Sequence, residues 1–196
     1  MTTATSTDTL TQQIEALEKE LQAKQKELVK LRKQAPKREV SDYVFLDTSG
    51  NQIKLSEMFG DKDELMVVHN MGKSCRYCTL WADEYNGIVK PLQDRVPFYV
   101  TSPDDWQTAK EFAESRNWNF KLLSTKENSF KKDMDFEPKD GDYHPGVSTF
   151  EKDADGKMFL IVSAGFGPGD LYSAFWHYLD LLPKGHNKWE PKYKYQ

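Results

Sequence analysis

Between residues 43 and 124, short apolar runs alternate with stretches of helical spacing, which limits the chain to a sheet interleaved with helices. Tyr43-Val44-Phe45-Leu46 reads as a strand, halted by the turn-forming Asp47-Thr48-Ser49-Gly50-Asn51. Residues 55–59 fit one helical turn. Leu65 to His69, with its Met-Val-Val centre, has the continuous apolar character of a strand covered on both faces. Helical spacing from about Cys78 to Leu92 follows. Then come a strand over 96–100, a helix over 103–116 with Pro103 in its first turn, and a short strand over 121–124. Residues 126–143 are polar with scattered Phe and Met, and a segment of that length in a compact domain is functional or mobile. Val147 to Phe150 and Met158 to Val162 flank Asp153-Ala154-Asp155-Gly156, a strong hairpin signal. A last helix is expected over 170–182. The plan is α/β, with a mixed sheet flanked by helices.

Ahead of this lies an extended N-terminal helix. Leu10, Ile14, Leu17, Leu21, Leu28 and Leu31 fall on one heptad seam, broken only by Lys24, and Pro36 ends the helix. Glu15–Lys19 and Glu20–Lys24 give modest support at i, i+4. The seam needs cover, either from the chain's own domain or from a second copy in a homodimer. The Thr- and Ser-rich residues 1–9 read as disordered. The expected division is a helical arm over 1–38, a domain over 39–185 and a polar tail over 186–196.

The chain has 196 residues, long enough for a core without staples. Its 27 basic and 31 acidic side chains give a net charge of −4, which argues against nucleic acid or an anionic membrane as partner. The longest apolar run, Leu65 to Val68, is far short of the roughly 20 residues of a membrane span. The opening MTTATSTDTLTQQ has neither a basic start nor an apolar stretch, so the expected location is cytoplasmic.

The two cysteines, Cys75 and Cys78, lie between the strand ending near His69 and the helix that follows. The pair reads as a redox couple, as half of a metal site, or as two small buried neighbours. A helix start carries unpaired N–H groups and about half a positive charge. An ordinary thiol near pKa 8.5 is about 3% ionised at pH 7, whereas one shifted to about 7 is about half ionised. Lys73 and Arg76 would push the same way if they sit close. The spacing also lets one sulfur resolve a mixed disulfide formed by the other. A zinc site normally needs four ligands; there is no second cysteine pair, and only His69 and His144 are candidates for further ligands. The redox reading is therefore favoured, with Cys75 and Cys78 as the catalytic residues and no metal or cofactor. A protein or small-molecule disulfide, or a peroxide, is the expected partner.

Other signals rank lower. His144 could face the cysteines or be an ordinary loop histidine. Trp81 reads as core, and Asp83 as either a proton acceptor for a buried thiol or a solvated carboxylate. Gly165-Phe166-Gly167-Pro168-Gly169 misses the dinucleotide spacing. Asp153-Ala154-Asp155-Gly156 lacks the terminal Glu of a calcium loop, Ala164 standing there.

Cys75-x-x-Cys78-Thr79-Leu80-Trp81-Ala82-Asp83 with Asn86-Gly87 resembles a bacterial thioredoxin-like family of unknown function, related to the alkyl hydroperoxide reductase/thiol-specific antioxidant group. The likeness takes in the Leu-rich leading helix, Tyr43-Val44-Phe45, Pro145-Gly146-Val147-Ser148 and the closing Tyr178-Leu179-Asp180-Leu181-Leu182-Pro183-Lys184-Gly185. It implies a thioredoxin-like fold and a thiol-redox role, as a thiol–disulfide oxidoreductase or a peroxidase of the peroxiredoxin type. Where thioredoxins carry a cis-proline facing the cysteines, Ser148 stands by position. Where peroxiredoxins carry Thr-x-x-Cys, Cys75 replaces the Thr, and no Arg lies between Lys139 and Phe150. Thioredoxin logic makes Cys75 the nucleophile and peroxiredoxin logic Cys78.

Overall fold

A computed structural model describes residues 4–195. The chain divides into one unit ending at Pro36 and a second beginning at Lys37.

The first unit is helix α1 (Ala4–Gln34), 31 residues long. It starts earlier than the Thr/Ser-rich composition indicates, because propagation from a formed helix costs little per residue; residues 1–3 lie outside the described residues. Arg32 and Lys33 in the last turn suit the helix dipole. The heptad side chains are exposed, from 36% at Leu28 to 65% at Leu17.

The second unit is built on eight strands: β1 (Arg38–Glu39), β2 (Val44–Asp47), β3 (Gln52–Lys54), β4 (Glu64–His69), β5 (Phe98–Ser102), β6 (Lys121–Ser124), β7 (Gly146–Lys152) and β8 (Met158–Gly165). They form one sheet in the order β1-β8-β7-β4-β5-β6-β2-β3. β4, β5 and β6 run parallel, and the other pairings are antiparallel, so the sheet is mixed. The helices of this unit are α2 (Leu55–Met58), α3 (Arg76–Arg95), α4 (Trp106–Ser115), α5 (Phe130–Asp133) and α6 (Ala174–Asp180).

Strand alternation sorts the core into two layers. Leu65 and Val67 of β4 join Phe45, Phe59, Phe130, Met134 and Phe150 on one face. Val68 joins Trp81, Tyr85, Val89 and Val100 on the other, under α3. The 126–143 segment thus supplies core: Phe130, Met134 and Phe136 are buried. Asp47 accepts hydrogen bonds from the Ser49 and Asn51 N–H groups at 2.7 and 2.9 Å, closing a β2–β3 hairpin whose second strand is too short to show a period.

The helix expected from Pro103 begins only at Trp106, because Asp105 caps it by accepting the Thr108 N–H at 2.9 Å. The last helix is also shorter than expected. Asp170 binds the N–H groups of Gly167 and Tyr172 at 2.9 and 2.6 Å, holding the glycine-rich stretch as a loop and delaying the helix to Ala174. Beyond residue 186, Trp189 lies 4.8 Å from the Phe175 ring, and Pro191 is buried.

Candidate active site

β4 delivers the chain to the site. Beyond its end, the Asn70 side-chain oxygen accepts the Gly72 N–H at 2.8 Å, and Asp104 accepts the Lys73 N–H at 2.7 Å. Gly72 sits at φ +93°, and a Cβ there would lie 2.9 Å from the Asp104 carboxylate, so both the conformation and the close approach call for glycine. The loop ends with the Cys75 N–H on the Gly72 carbonyl at 3.1 Å.

Cys75 is the N-cap of the 20-residue α3, and its Sγ accepts the Cys78 N–H at 3.0 Å. The Thr79 hydroxyl and N–H both bind the Cys75 carbonyl, at 2.9 and 3.0 Å. Both cysteines are free thiols; Cys75 is half-buried and Cys78 is buried. The Cys78 thiol hydrogen-bonds to the Cys75 sulfur, and with the N–H groups of Cys78 and Tyr77 it pulls the Cys75 pKa down to about 7, against the opposing effect of burial. The same interaction holds the proton on Cys78, whose pKa is pushed up further by burial and by the neighbouring Cys75 charge. About half of Cys75 is therefore thiolate at pH 7. Arg76, expected to help, pairs instead with Glu190 at 3.1 Å.

Beneath the pair lies a feature that composition did not reveal. Lys131 of α5 is 2% exposed, and its Nζ donates to the Asn70 carbonyl at 2.8 Å. Burial lowers its pKa to about 7, partly offset by the charges of Cys78, Glu137 and Asp104. A lysine in a four-residue helix carries no periodic signal, and lysine is among the residues least often buried. His69 is fully buried, stacked between Phe136 at 3.9 Å and Phe130 at 5.2 Å, with Nε2 2.9 Å from the Ser148 hydroxyl. Burial, and secondarily the Lys131 charge, depress its pKa well below the usual range. It is a neutral core histidine.

Ser148 is therefore not the residue that faces the cysteines. It is fully buried, paired across from Val67, and hydrogen-bonded to His69 and to Ser163. Pro145, just before β7 begins at Gly146, lines a small cavity beside Cys78 instead. Pro145 stands three residues before Ser148, immediately ahead of the strand, whereas Ser148 lies inside it. His144 is exposed and lies 3.6 Å from Asp142.

Asp83 binds the Arg116 guanidinium and accepts the Trp118 indole N–H at 2.8 Å. That makes it a brace between α3 and the end of α4. The Arg116 pKa is raised by its hydrogen bond to Asp83. Trp81 is core, 2% exposed and 5.9 Å from the Phe166 ring. Among the described residues, no group of three or more His, Cys, Asp or Glu side chains could hold a metal ion, and no helix is long and apolar enough to cross a membrane.

A family model described as a bacterial protein of unknown function (DUF899) matches residues 3–196. The chain belongs to this family. No curated protein matches this DUF899 member. Among solved structures, it is similar to the peroxidoxin BcpB of Mycobacterium tuberculosis, with 22% identity and a TM-score of 0.51, covering 66% of this chain and 84% of that one. A PrxQ mutant from Xylella fastidiosa gives 12% identity and a TM-score of 0.52, covering 67% and 85%. A peroxiredoxin-like protein from Aquifex aeolicus gives 17% and 0.50, covering 66% and 74%. The DUF899 chain thus has a thioredoxin-like fold of the peroxiredoxin kind, its mixed sheet flanked by helices.

Proposed function

We propose that the protein is a thiol–disulfide oxidoreductase in which Cys75 is the nucleophile and Cys78 the resolving thiol. The observation that carries this reading is the asymmetry of the pair: Cys75 is partly exposed at the cap of α3 with its sulfur hydrogen-bonded, while Cys78 is buried and holds its proton. The Cys75 thiolate attacks one sulfur of a partner disulfide, releasing the other as a thiolate. Cys78 then attacks Cys75, and the bond between Cys75 and the partner breaks as the internal disulfide forms. The partner disulfide is reduced by two electrons, and the pair is oxidised by two. To test this, the protein is oxidised, treated with dithiothreitol and assayed for free thiols, and Cys78→Ser is challenged with a disulfide. Two thiols recovered reversibly, and a stable mixed disulfide at Cys75, are expected; a pair that never closes refutes the reading.

The peroxiredoxin-like fold favours a related second reading, in which the same thiolate attacks a peroxide. One oxygen leaves as an alcohol or water, and the Cys75 sulfenic acid condenses with Cys78, releasing water. Stopped-flow decay of hydrogen peroxide separates the two.

The exposed heptad seam of α1 supports pairing with a second copy of the chain. Removal of residues 1–35 should convert a dimer to a monomer by light scattering, and an unchanged oligomeric state refutes the pairing.

A further inference from the structure

Cys78, Trp81 and Tyr85 occupy positions i, i+3 and i+7 of α3 and so share one face of the helix. That face borders a cavity of about 10 Å³, shared with Val68, His69, Asn70, Pro145 and Phe166. The volume is close to the roughly 10–15 Å³ in which a single water fits. Three of its residues carry buried polar atoms without a protein hydrogen-bond partner among the described residues: His69 Nδ1, Trp81 Nε1 and Tyr85 Oη. Trp81 is 2% exposed and Tyr85 6%, so bulk water cannot serve them. Buried polar atoms of this kind are normally satisfied, and three around one small cavity beside a thiol point to a small polar ligand.

We propose that this cavity is a binding site for one water molecule, held by Trp81 Nε1–H and the Tyr85 hydroxyl, which hydrogen-bonds to the Cys78 sulfur as that thiol loses its proton. The assignment deepens the oxidoreductase reading and rests on it. In the resolving step the Cys78 S–H bond breaks, a bond forms between Cys78 and Cys75, and the bond from Cys75 to the partner sulfur breaks. The partner leaves as a thiolate and takes up one proton, balancing the one Cys78 gives up. A buried sulfur gaining negative charge needs a donor at that moment, and a water fixed by two preorganised N–H and O–H groups supplies it without reorganisation. Trp81 and Tyr85 are positioning residues, since they act through the water. The titratable groups acting on Cys78 are Cys75 and Lys131, and those acting on Tyr85 are Asp170, Glu84 and Cys78.

The test uses the full-length reduced protein and 5,5′-dithiobis(2-nitrobenzoate) in a stopped-flow spectrometer. The first nitrothiobenzoate released reports attack by Cys75, and the second reports displacement by Cys78. Trp81→Phe and Tyr85→Phe keep the aromatic rings in the core and remove only the polar atoms. Each should leave the first phase within about twofold and slow the second about tenfold, in the range of a hydrogen bond to a charged group. The pH midpoint of the second phase should rise while that of the first stays fixed. If the second phase is unchanged, or both phases fall together, the water site is refuted. If the wild-type protein releases only one nitrothiobenzoate, the oxidoreductase reading fails instead. An independent check needs no variant: a high-resolution crystal structure should show a water within hydrogen-bond distance of Trp81 Nε1 and Tyr85 Oη, and a dry cavity overturns the proposal.

Discussion

Replacing Lys131 with Met should change the way stability depends on pH. In the folded protein Lys131 is fully buried, with its pKa lowered to about 7 by burial; in the unfolded chain it returns to about 10.4. Between those values the unfolded state binds the extra proton, so the wild-type protein gains stability as pH rises, by about 1.4 kcal/mol per unit. Over the whole window this amounts to about 5 kcal/mol, lost again as pH falls to about 7. Met keeps the length and volume of the side chain but cannot titrate. It also deprives the Asn70 carbonyl of its 2.8 Å donor, a loss of about 1–3 kcal/mol that offsets the variant's curve without tilting it.

The comparison is cleanest in a Cys75→Ser, Cys78→Ser background, where no thiol titrates. All five tryptophans lie in the second unit, so their fluorescence during urea unfolding follows that unit. From about pH 7.5 to about pH 9.5, the protein with Lys131 should gain about 2–3 kcal/mol relative to the Lys131→Met variant. Parallel curves would mean that Lys131 keeps its proton in the fold, and the burial argument would be wrong.

Three further outcomes are expected. Cys78→Ala removes the largest cause of the low Cys75 pKa, so the midpoint of iodoacetamide alkylation should move from about 7 toward the ordinary thiol value of about 8.5, while Cys78→Ser, which keeps a donor, should move it less. Asp83→Asn weakens the contacts to Arg116 and Trp118 and should cost about 2 kcal/mol in thermal or urea unfolding with Cys75 alkylation unchanged; a large loss of thiol reactivity would return Asp83 to the chemistry. Gly146→Ala places a Cβ 2.3 Å from Phe136 Cε1 and 2.5 Å from the Ala164 carbonyl oxygen; a backbone oxygen cannot swing aside, so a loss of about 3 kcal/mol or more is expected, and a neutral effect would contradict that packing.

Much of the fold could be read from local chemistry. Leu65 to His69 announced the central strand because a run of Met and Val needs cover on both faces. Asp153-Ala154-Asp155-Gly156 announced the hairpin, and Asp153 does accept the Asp155 and Lys157 N–H groups at 3.0 and 2.8 Å. β1 and β3 were not legible, since strands of two and three residues carry no alternation and exist only through their neighbours. At the site, the spacing of the two cysteines and their place at a helix start could be seen directly. Lys131, which arrives from 53 residues beyond Cys78, could not. Trp81 could be read as core, but whether its indole N–H finds a partner depends on the residues that only the folded chain brings around it, Pro145 and Phe166 among them. Asp83 was read as either chemical or solvated because Arg116 and Trp118 are remote in sequence; hydrogen bonds to both made it a brace.

The cap made by Cys75 also ties oxidation state to backbone protection. In the reduced protein the Cys78 amide hydrogen is held by the Cys75 sulfur at 3.0 Å. Once that sulfur is bonded to Cys78 it is neutral and a weaker acceptor, so the amide loses much of its hold while the Thr79 amide keeps its carbonyl partner. A deuterium-labelling experiment that follows these two neighbouring amides therefore contains its own reference. Faster exchange at residue 78 alone would mark the oxidised form, and the ratio of the two rates would report the redox state of the protein without modifying either sulfur.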